Sequence, residues 1–322
     1  MATLICPEDH SPVADAEAIR KACKGWGTDE KALISILGHR TATQRKIIRK
    51  TYEEMYNEEL VKRLESELSG HFEKAVYRWM LDPEERDAVI LNVAIKEKPI
   101  LDYTSIIELS CIYSPQELLA VKRAYQTRYK HSVEEDLALH STGELRKLLV
   151  FLVGIYRYAG DEIDARLAKS EADIMCNAIK SNDFNHEEIV RIITTRSKTQ
   201  LRATLNRYKD DNGSSLTKYL RDDEAKAANA FLGALRTTIR CIINDPQQYY
   251  EKVIRRALMK SGTDEESVTR VIVSRAEKDL EIIKELFYKR NSVTLCHAVS
   301  KHTSGDYKSF LVALLGNQNI HL

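Results

Sequence analysis

The sequence predicts an all-α fold made of four repeats, each of about five short helices, and three observations lead there. Glycine (12) and proline (6) are scarce for 322 residues, so turns are few and short. Apolar residues recur at helical spacings, and strand-like alternation is sustained nowhere. One short segment recurs four times at near-constant intervals.

That segment reads Ser35-Ile36-Leu37-Gly38-His39-Arg40, then Leu109-Ser110-Cys111-Ile112-Tyr113, then Ile192-Ile193-Thr194-Thr195-Arg196, then Val271-Ile272-Val273-Ser274-Arg275. With Arg40, Tyr113, Arg196 and Arg275 as anchors, the intervals are 73, 83 and 79 residues. The register holds far from the anchors. Twelve residues after them stand Tyr52, Tyr125, Tyr208 and Phe287, all aromatic. Thirty residues after them stand Gly70, Gly143, Lys226 and Gly305, three of them glycine. The repeats therefore span 14–82, 86–158, 169–245 and 247–316.

Each repeat reads as helical. In the first, Ile48, Tyr52 and Met55 recur at i, i+4 and i+7, and Leu60, Leu64 and Leu68 at steps of four, giving apolar stripes. Thr263-Asp264-Glu265-Glu266 is expected to form a capping box, with Thr263 as N-cap and Glu266 at N3. Thr28-Asp29-Glu30 starts a helix in the same way, with Lys31 where the box wants Glu. Gly38 and the Ser/Thr-rich stretches after each anchor close the second helix. A single repeat cannot bury its stripes, so the four are expected to pack together and not to stand as independent domains.

Bulk properties exclude several functional classes. Lys plus Arg (49) nearly cancels Asp plus Glu (48), which leaves no basic excess for nucleic-acid binding. The cysteines Cys6, Cys23, Cys111, Cys176, Cys241 and Cys296 are scattered without Cys-x-x-Cys spacing, against a zinc ribbon or a disulfide scaffold. The N-terminus lacks the basic and apolar regions of a secretory signal. The longest apolar run, Leu148 to Tyr156, is about half the roughly 20 residues that a spanning helix needs. Any membrane contact is expected to be peripheral, and a reducing, cytoplasmic location is the default.

Thirteen residues before each anchor lie Gly27, Ile100, Asp183 and Gly262. The first stands in Lys24-Gly25-Trp26-Gly27-Thr28-Asp29-Glu30 and the last in Met259-Lys260-Ser261-Gly262-Thr263-Asp264-Glu265, both at helix–loop–helix junctions. Glycines there let the backbone turn tightly and direct carbonyl oxygens at one spot. Calcium takes six to eight oxygens and tolerates irregular geometry, so loop carbonyls, a carboxylate from elsewhere and water would satisfy it. The candidate carboxylate is Glu67, three residues before Gly70; the corresponding positions are His140, Asp223 and His302.

A Gly-x-Gly-Thr loop followed about 40 residues later by an acid, in four repeats from about Ala14 to Gly316, resembles the annexin family, and the plant annexins most. The resemblance implies that the repeats pack into one compact, slightly curved disc. It implies a non-enzymatic protein that docks reversibly on anionic phospholipid membranes through Ca2+, with lipid phosphate oxygens filling the ion's open positions. Carried onto this chain, the first-repeat ligands are the carbonyls of Cys23, Gly25 and Gly27 and the carboxylate of Glu67, with Thr28 and Glu30 forming a weaker secondary site. The protein is expected to be a monomer in solution that self-associates on membranes, with F-actin as a further candidate partner.

The other repeats depart from the pattern. The second has Lys98-Pro99-Ile100 at the loop and His140 at the acid position, so no site is expected. The third keeps Asp223 but has Ser181-Asn182-Asp183-Phe184 at the loop, and is also expected to be silent. The fourth would draw on Leu258, Lys260 and Gly262, but His302 replaces the acid, and imidazole suits a hard cation poorly. Asp306, four residues on, is the candidate replacement.

Other residues carry a plain reading beside a sharper one. Trp26 at the loop tip suits the lipid headgroup zone, and Lys24 would stand near phosphate when docked. Trp79 sits on an apolar stripe and reads as core. His39 matches a histidine around which peroxidase activity has been proposed in plant annexins, but it ends an apolar helix and reads as structural. Cys111 and Cys241 match a suspected redox pair, against which stands the reading of buried thiols. No phosphate-binding Gly-x-x-x-x-Gly-Lys-Ser/Thr loop is present. The actin motif Ile-Arg-Ile is matched only loosely by Val190-Arg191-Ile192-Ile193.

Overall fold

The computed structural model describes residues 1–316 apart from 8, 26, 98–99, 182–186, 221–228 and 260–261. Among the described residues there are twenty α-helices and no strand. They fall five to a repeat. The first repeat holds α1 (Pro12–Ala22), α2 (Glu30–Leu37), α3 (Ala42–Tyr56), α4 (Leu60–Glu67) and α5 (Gly70–Met80). The second holds α6 (Pro83–Asn92), α7 (Tyr103–Ile112), α8 (Pro115–Tyr129), α9 (Val133–His140) and α10 (Gly143–Leu152). The third holds α11 (Ala165–Lys180), α12 (Glu187–Thr195), α13 (Lys198–Asn212), the short α14 (Leu216–Tyr219) and α15 (Ala230–Ile243). The fourth holds α16 (Pro246–Met259), α17 (Glu265–Arg275), α18 (Leu280–Asn291), α19 (Leu295–His302) and α20 (Gly305–Leu314).

The structure gives the repeat register a physical meaning. Tyr52, Tyr125, Tyr208 and Phe287 are all buried, each on the third helix of its repeat. Gly70, Gly143 and Gly305 each open a fifth helix with φ of 66°, 59° and 61°, left-handed values that favour glycine. The anchors clamp the end of the second helix to the first. Arg40 Nε and Nη2 donate to Asp15 Oδ2 and Oδ1, both at 2.7 Å. Arg196 Nε donates to Glu171 Oε1 at 2.6 Å, and the Tyr113 hydroxyl donates to Asp87. In the fourth repeat Arg275 pairs with Asp279 on its own side and lies over the Tyr250 ring of α16 at 4.6 Å.

The second repeat carries one extra residue between its acid and its anchor. Asp15 to Arg40 and Glu171 to Arg196 are each 25 residues apart, whereas Asp87 to Tyr113 is 26. A single π turn, Val93–Glu97, absorbs the insertion immediately before the loop. The loop-closing bonds report the same shift. Asp29 N–H reaches back to Ala22 O and Asp264 N–H to Ala257 O, but Asp102 N–H reaches to Ala94 O, one residue further.

The helices form two compact units, Met1–Arg86 with Gln247–Leu322, and Asp87–Pro246. The first unit thus joins the first and fourth repeats, and its core is made where α5 packs on α17 and α20 and where α2 packs on α20. Phe72 and Phe310 meet edge to face at 5.9 Å. Trp79 is fully buried, donates from Nε1 to Leu37 O at 2.7 Å, and carries the Arg45 guanidinium 3.6 Å above its ring. Burial lowers the Arg45 pKa to about 10 despite its pair with Glu277. The chain start is sewn on by Thr3, whose N–H reaches Ala276 O and whose hydroxyl reaches Leu314 O. In the second unit α7 packs on α10 and α15, and α13 on α11 and α15. Arg157 ties the following segment to α12 by donating to Ile193 O and Arg196 O at 2.7 Å.

Two local expectations need correction. Thr263 is not an N-cap: Asp264 takes that place and accepts from Ser267 N–H at 3.1 Å, while Glu266 pairs with Arg78. Aspartate caps well by itself, which frees the preceding threonine hydroxyl for a longer reach. Gly38 closes α2 as expected, as its C-cap and with a helical φ of −68°. A Cβ there would lie 2.8 Å from Ile34 O and 3.0 Å from Ala313 Cβ, so the glycine lets α2 approach α20 closely. Met55 is exposed at the end of its stripe. Among the described residues no helix is long and apolar enough to cross a membrane, and within Leu148–Tyr156 both Phe151 and Tyr156 face out.

Candidate calcium site in the first repeat

The loop between α1 and α2 begins at Cys23, which ends α1, and runs to Asp29, which caps α2 by accepting from Ala32 N–H at 3.0 Å. Gly25 and Gly27 hold φ of 117° and 86°, and a Cβ at either would meet nothing within 4 Å. Backbone conformation, not space, therefore demands glycine there. Gly262 repeats the feature in the fourth repeat with φ of 89°.

Glu67, the last residue of α4, comes to this loop. The Thr28 hydroxyl donates to Glu67 Oε2 at 2.9 Å. The same span recurs in the fourth repeat, where the Thr263 hydroxyl donates to the His302 carbonyl at 3.1 Å. In both cases a threonine couples the loop to the end of a fourth helix 39 residues later. Of these two repeats only the first presents a carboxylate at that point, because His302 stands where Glu67 would.

A cation already stands among these oxygens. Arg63 Nη2 donates both to Glu67 Oε1, at 2.7 Å, and to the Cys23 carbonyl. The donor set is all oxygen and is engaged by positive charge, which fits a hard cation such as calcium. Among the described residues no cluster of three His, Cys, Asp or Glu side chains could hold a metal, so a site here must use backbone carbonyls. The Cys23 thiol is buried and its pKa is pushed up to about 11, chiefly by burial and then by Glu67, with Arg63 opposing. It stays a neutral thiol, and only its carbonyl serves the loop.

The remaining site residues are distributed unevenly. Glu30 and Glu67 line a cleft of about 510 Å³ with Glu265, Lys301, His302 and Asp306. Asp306 also lines a shallower hollow with Lys24, Gly27, Thr28 and Glu30. Asp306 is thus brought beside the first-repeat loop, and neither hollow is lined by Gly262 or Thr263. Leu258 is buried at the end of α16. Trp26, Lys260, Asp183 and Asp223 lie outside the described residues.

Sequence reasoning missed two participants. The Thr28 side chain, not only its carbonyl, reaches Glu67, and Arg63, which sequence reasoning did not single out, reaches it too. Its signal was available, since residues i and i+4 share a helix face and Arg63 precedes Glu67 by four. In the second repeat the inserted residue disturbs the run into the loop, and His140 Nδ1 is engaged by Asp136 O. The alternative activities find little support in the geometry. His39 Nδ1 pairs with the Ile5 carbonyl at 2.9 Å, holding the N-terminal segment. Cys111 and Cys241 are buried and in no disulfide, and burial raises the Cys111 pKa despite Arg157 and Lys198 nearby. Val190, Ile192 and Ile193 are buried, and Arg191 pairs with Glu188.

Comparison with known proteins decides the family. The annexin family model matches residues 14–79, 86–152, 170–226 and 249–314. The chain belongs to the annexin family. It is 63% identical to an annexin-like protein, RJ4, of Fragaria ananassa over 99% of this chain and 100% of that one, so the likeness to plant annexins holds. Among solved structures it resembles annexin III with a TM-score of 0.89 and 32% identity, covering 98% of this chain and 97% of the other. It also resembles calcium-bound annexin (Sm)1, with a TM-score of 0.78 and 26% identity over 98% of this chain and 93% of that one. An annexin of this kind is a calcium-dependent, membrane-binding protein of four helical repeats.

Proposed function

We propose that this annexin docks on anionic phospholipid through calcium held by its first repeat, with the fourth repeat assisting. The observation that carries this reading is the bond between the Thr28 hydroxyl and Glu67, which brings a carboxylate to a loop of two left-handed glycines. The carbonyls of Cys23, Gly25 and Gly27 and the carboxylate of Glu67 would hold the ion, and Thr28 orients Glu67. Bound calcium supplies a positive centre whose open positions accept lipid phosphate oxygens. Near-neutral net charge (+1) suits this division of labour, because the ion brings the charge that the protein lacks.

Lys24 borders the same hollow as Gly27 and Thr28 and would add attraction for phosphate on the order of 1 kcal/mol. Trp26 follows in sequence between the two glycines and would meet the headgroup zone. In the fourth repeat the Gly262 loop persists without a carboxylate at His302, so its affinity for calcium is lower. Asp306 and Glu30 line one hollow with the first loop and would serve a secondary site there. No catalytic step is required. Sedimentation with phosphatidylserine vesicles tests the reading: protein pellets in calcium and is released by chelator, and Glu67→Ala shifts the transition to higher calcium. Binding by Glu67→Ala with unchanged calcium dependence would overturn it.

A further inference from the structure

Arg63 occupies the site that calcium needs. Its guanidinium bonds the Cys23 carbonyl and Glu67 Oε1 at once, so one side chain bridges the loop to the carboxylate, as the ion would. The geometry points to Arg63 as a resident counter-cation that sets the calcium threshold of the first repeat by competing with the ion for these two ligands. This inference rests on the calcium reading of the loop given above.

Three features favour a displaceable cation over a fixed structural arginine. Its contact with Glu67 is partly open to water, the two side chains being 27% and 20% exposed. Its buried Nε has no hydrogen-bond partner, so the pose leaves a donor unmet and is less secure than a satisfied one. A second carboxylate waits nearby: Glu58 Oε1 lies 3.9 Å from Arg63 Nη1. Glu58 also holds Arg20, which in turn bonds the Tyr52 hydroxyl, so it is fixed in place. Swinging about its own flexible stem, Arg63 can leave Glu67 and keep a carboxylate partner. Two positive charges cannot share Glu67 and the Cys23 carbonyl at ligand distance, so calcium entry and Arg63 departure are one event.

The test is calorimetric titration of calcium into lipid-free protein, with vesicle sedimentation alongside, on wild type, Arg63→Met, Arg63→Gln, Arg63→Lys and Glu67→Ala. Met and Gln keep the length of the stem without its charge. Both are expected to bind calcium about 5-fold more tightly and to reach half-maximal vesicle binding at correspondingly lower calcium. Arg63→Lys, which keeps the charge but not the planar guanidinium that spans both acceptors, is expected to fall between wild type and the neutral variants. Thermal melts in chelator show whether each variant is folded, and having two neutral variants guards against the loss of one. Unchanged or weaker calcium binding in folded Arg63→Met or Arg63→Gln overturns the inference, since Arg63 would then support the ligands and not compete for them. If Glu67→Ala also binds calcium as wild type does, the assignment of the site itself fails. If Glu67→Ala loses binding while the Arg63 variants gain none, only the competition fails.

Discussion

The Thr28 hydroxyl and the Glu67 carboxylate meet at 2.9 Å across 39 residues of chain, and this bond joins the glycine loop to the end of α4. Thr28→Val removes the donor while keeping the shape. Among the described residues Glu67 then keeps only Arg63 as a side-chain partner, and its Oε2 loses the direct bond that orients it toward Thr28. A hydrogen bond to a charged group contributes about 1.5 kcal/mol, so calcium affinity is expected to fall roughly 10-fold. Calorimetric titration of calcium measures this, and a melt in chelator that matches wild type shows that the loss is local.

The anchor of the first repeat gives a prediction about stability. Arg40 and Asp15 form a two-bond pair, with both residues almost wholly buried. Arg40→Met leaves Asp15 without its partner in a low-dielectric site. Breaking a buried pair at one end costs about 3–5 kcal/mol, whereas replacing both ends costs less. Urea unfolding is therefore expected to show a large loss for Arg40→Met and partial recovery in Arg40→Met with Asp15→Leu. Equal losses in the two would mean that the charges are not coupled.

The thiols make a third test. Cys23, Cys111 and Cys241 are buried, while Cys6, Cys176 and Cys296 are half-buried. The thiolate is the reactive form, so burial slows Cys23 and Cys111 twice, by access and by raising their pKa. A colorimetric thiol reagent at pH 8 should label Cys176 and Cys296 quickly, Cys6 more slowly because burial and then Glu277 raise its pKa, and the three buried cysteines only as the protein opens. The same shift has a sign for stability. A Cys23 pKa near 11 in the folded chain, against 9.0 for an unperturbed thiol, favours folding fully below pH 9. That contribution is lost between about pH 9 and 11, as the unfolded chain sheds a proton that the fold retains. Cys23→Ala should flatten this part of the stability profile.

The fold was legible because each repeated feature has a geometric cause. The buried aromatics at Tyr52, Tyr125, Tyr208 and Phe287 and the left-handed glycines at Gly70, Gly143 and Gly305 fill equivalent places, so their spacing survives in the sequence. Gly25 and Gly27 were legible because their left-handed φ favours glycine, and Glu67 because the repeat register sets it beside Gly70. What stayed hidden depends on long-range approach. The role of Gly38 comes from Ala313 in α20, far along the chain, and no local pattern carries that contact. Thr28 and Thr263 look like helix caps locally, yet the following aspartates cap and the threonines reach across to α4 and α19. Asp306 lies at the right sequence distance for the fourth loop, and the pairing of the first and fourth repeats also brings it to a hollow lined by the first. The extra residue of the second repeat was present in the spacing of Asp87 and Tyr113, but only the π turn identifies where it is absorbed.

The central claim is that the first-repeat loop and Glu67 together hold the calcium that attaches this annexin to membranes. The most direct measurement is a calcium titration of binding to phosphatidylserine vesicles by wild type and Glu67→Ala, followed by sedimentation. Removing the sole carboxylate among four proposed protein ligands is expected to raise the calcium needed for half-maximal binding by about 10-fold or more. Superimposable curves for the two proteins, both folded by thermal melt, would contradict the account.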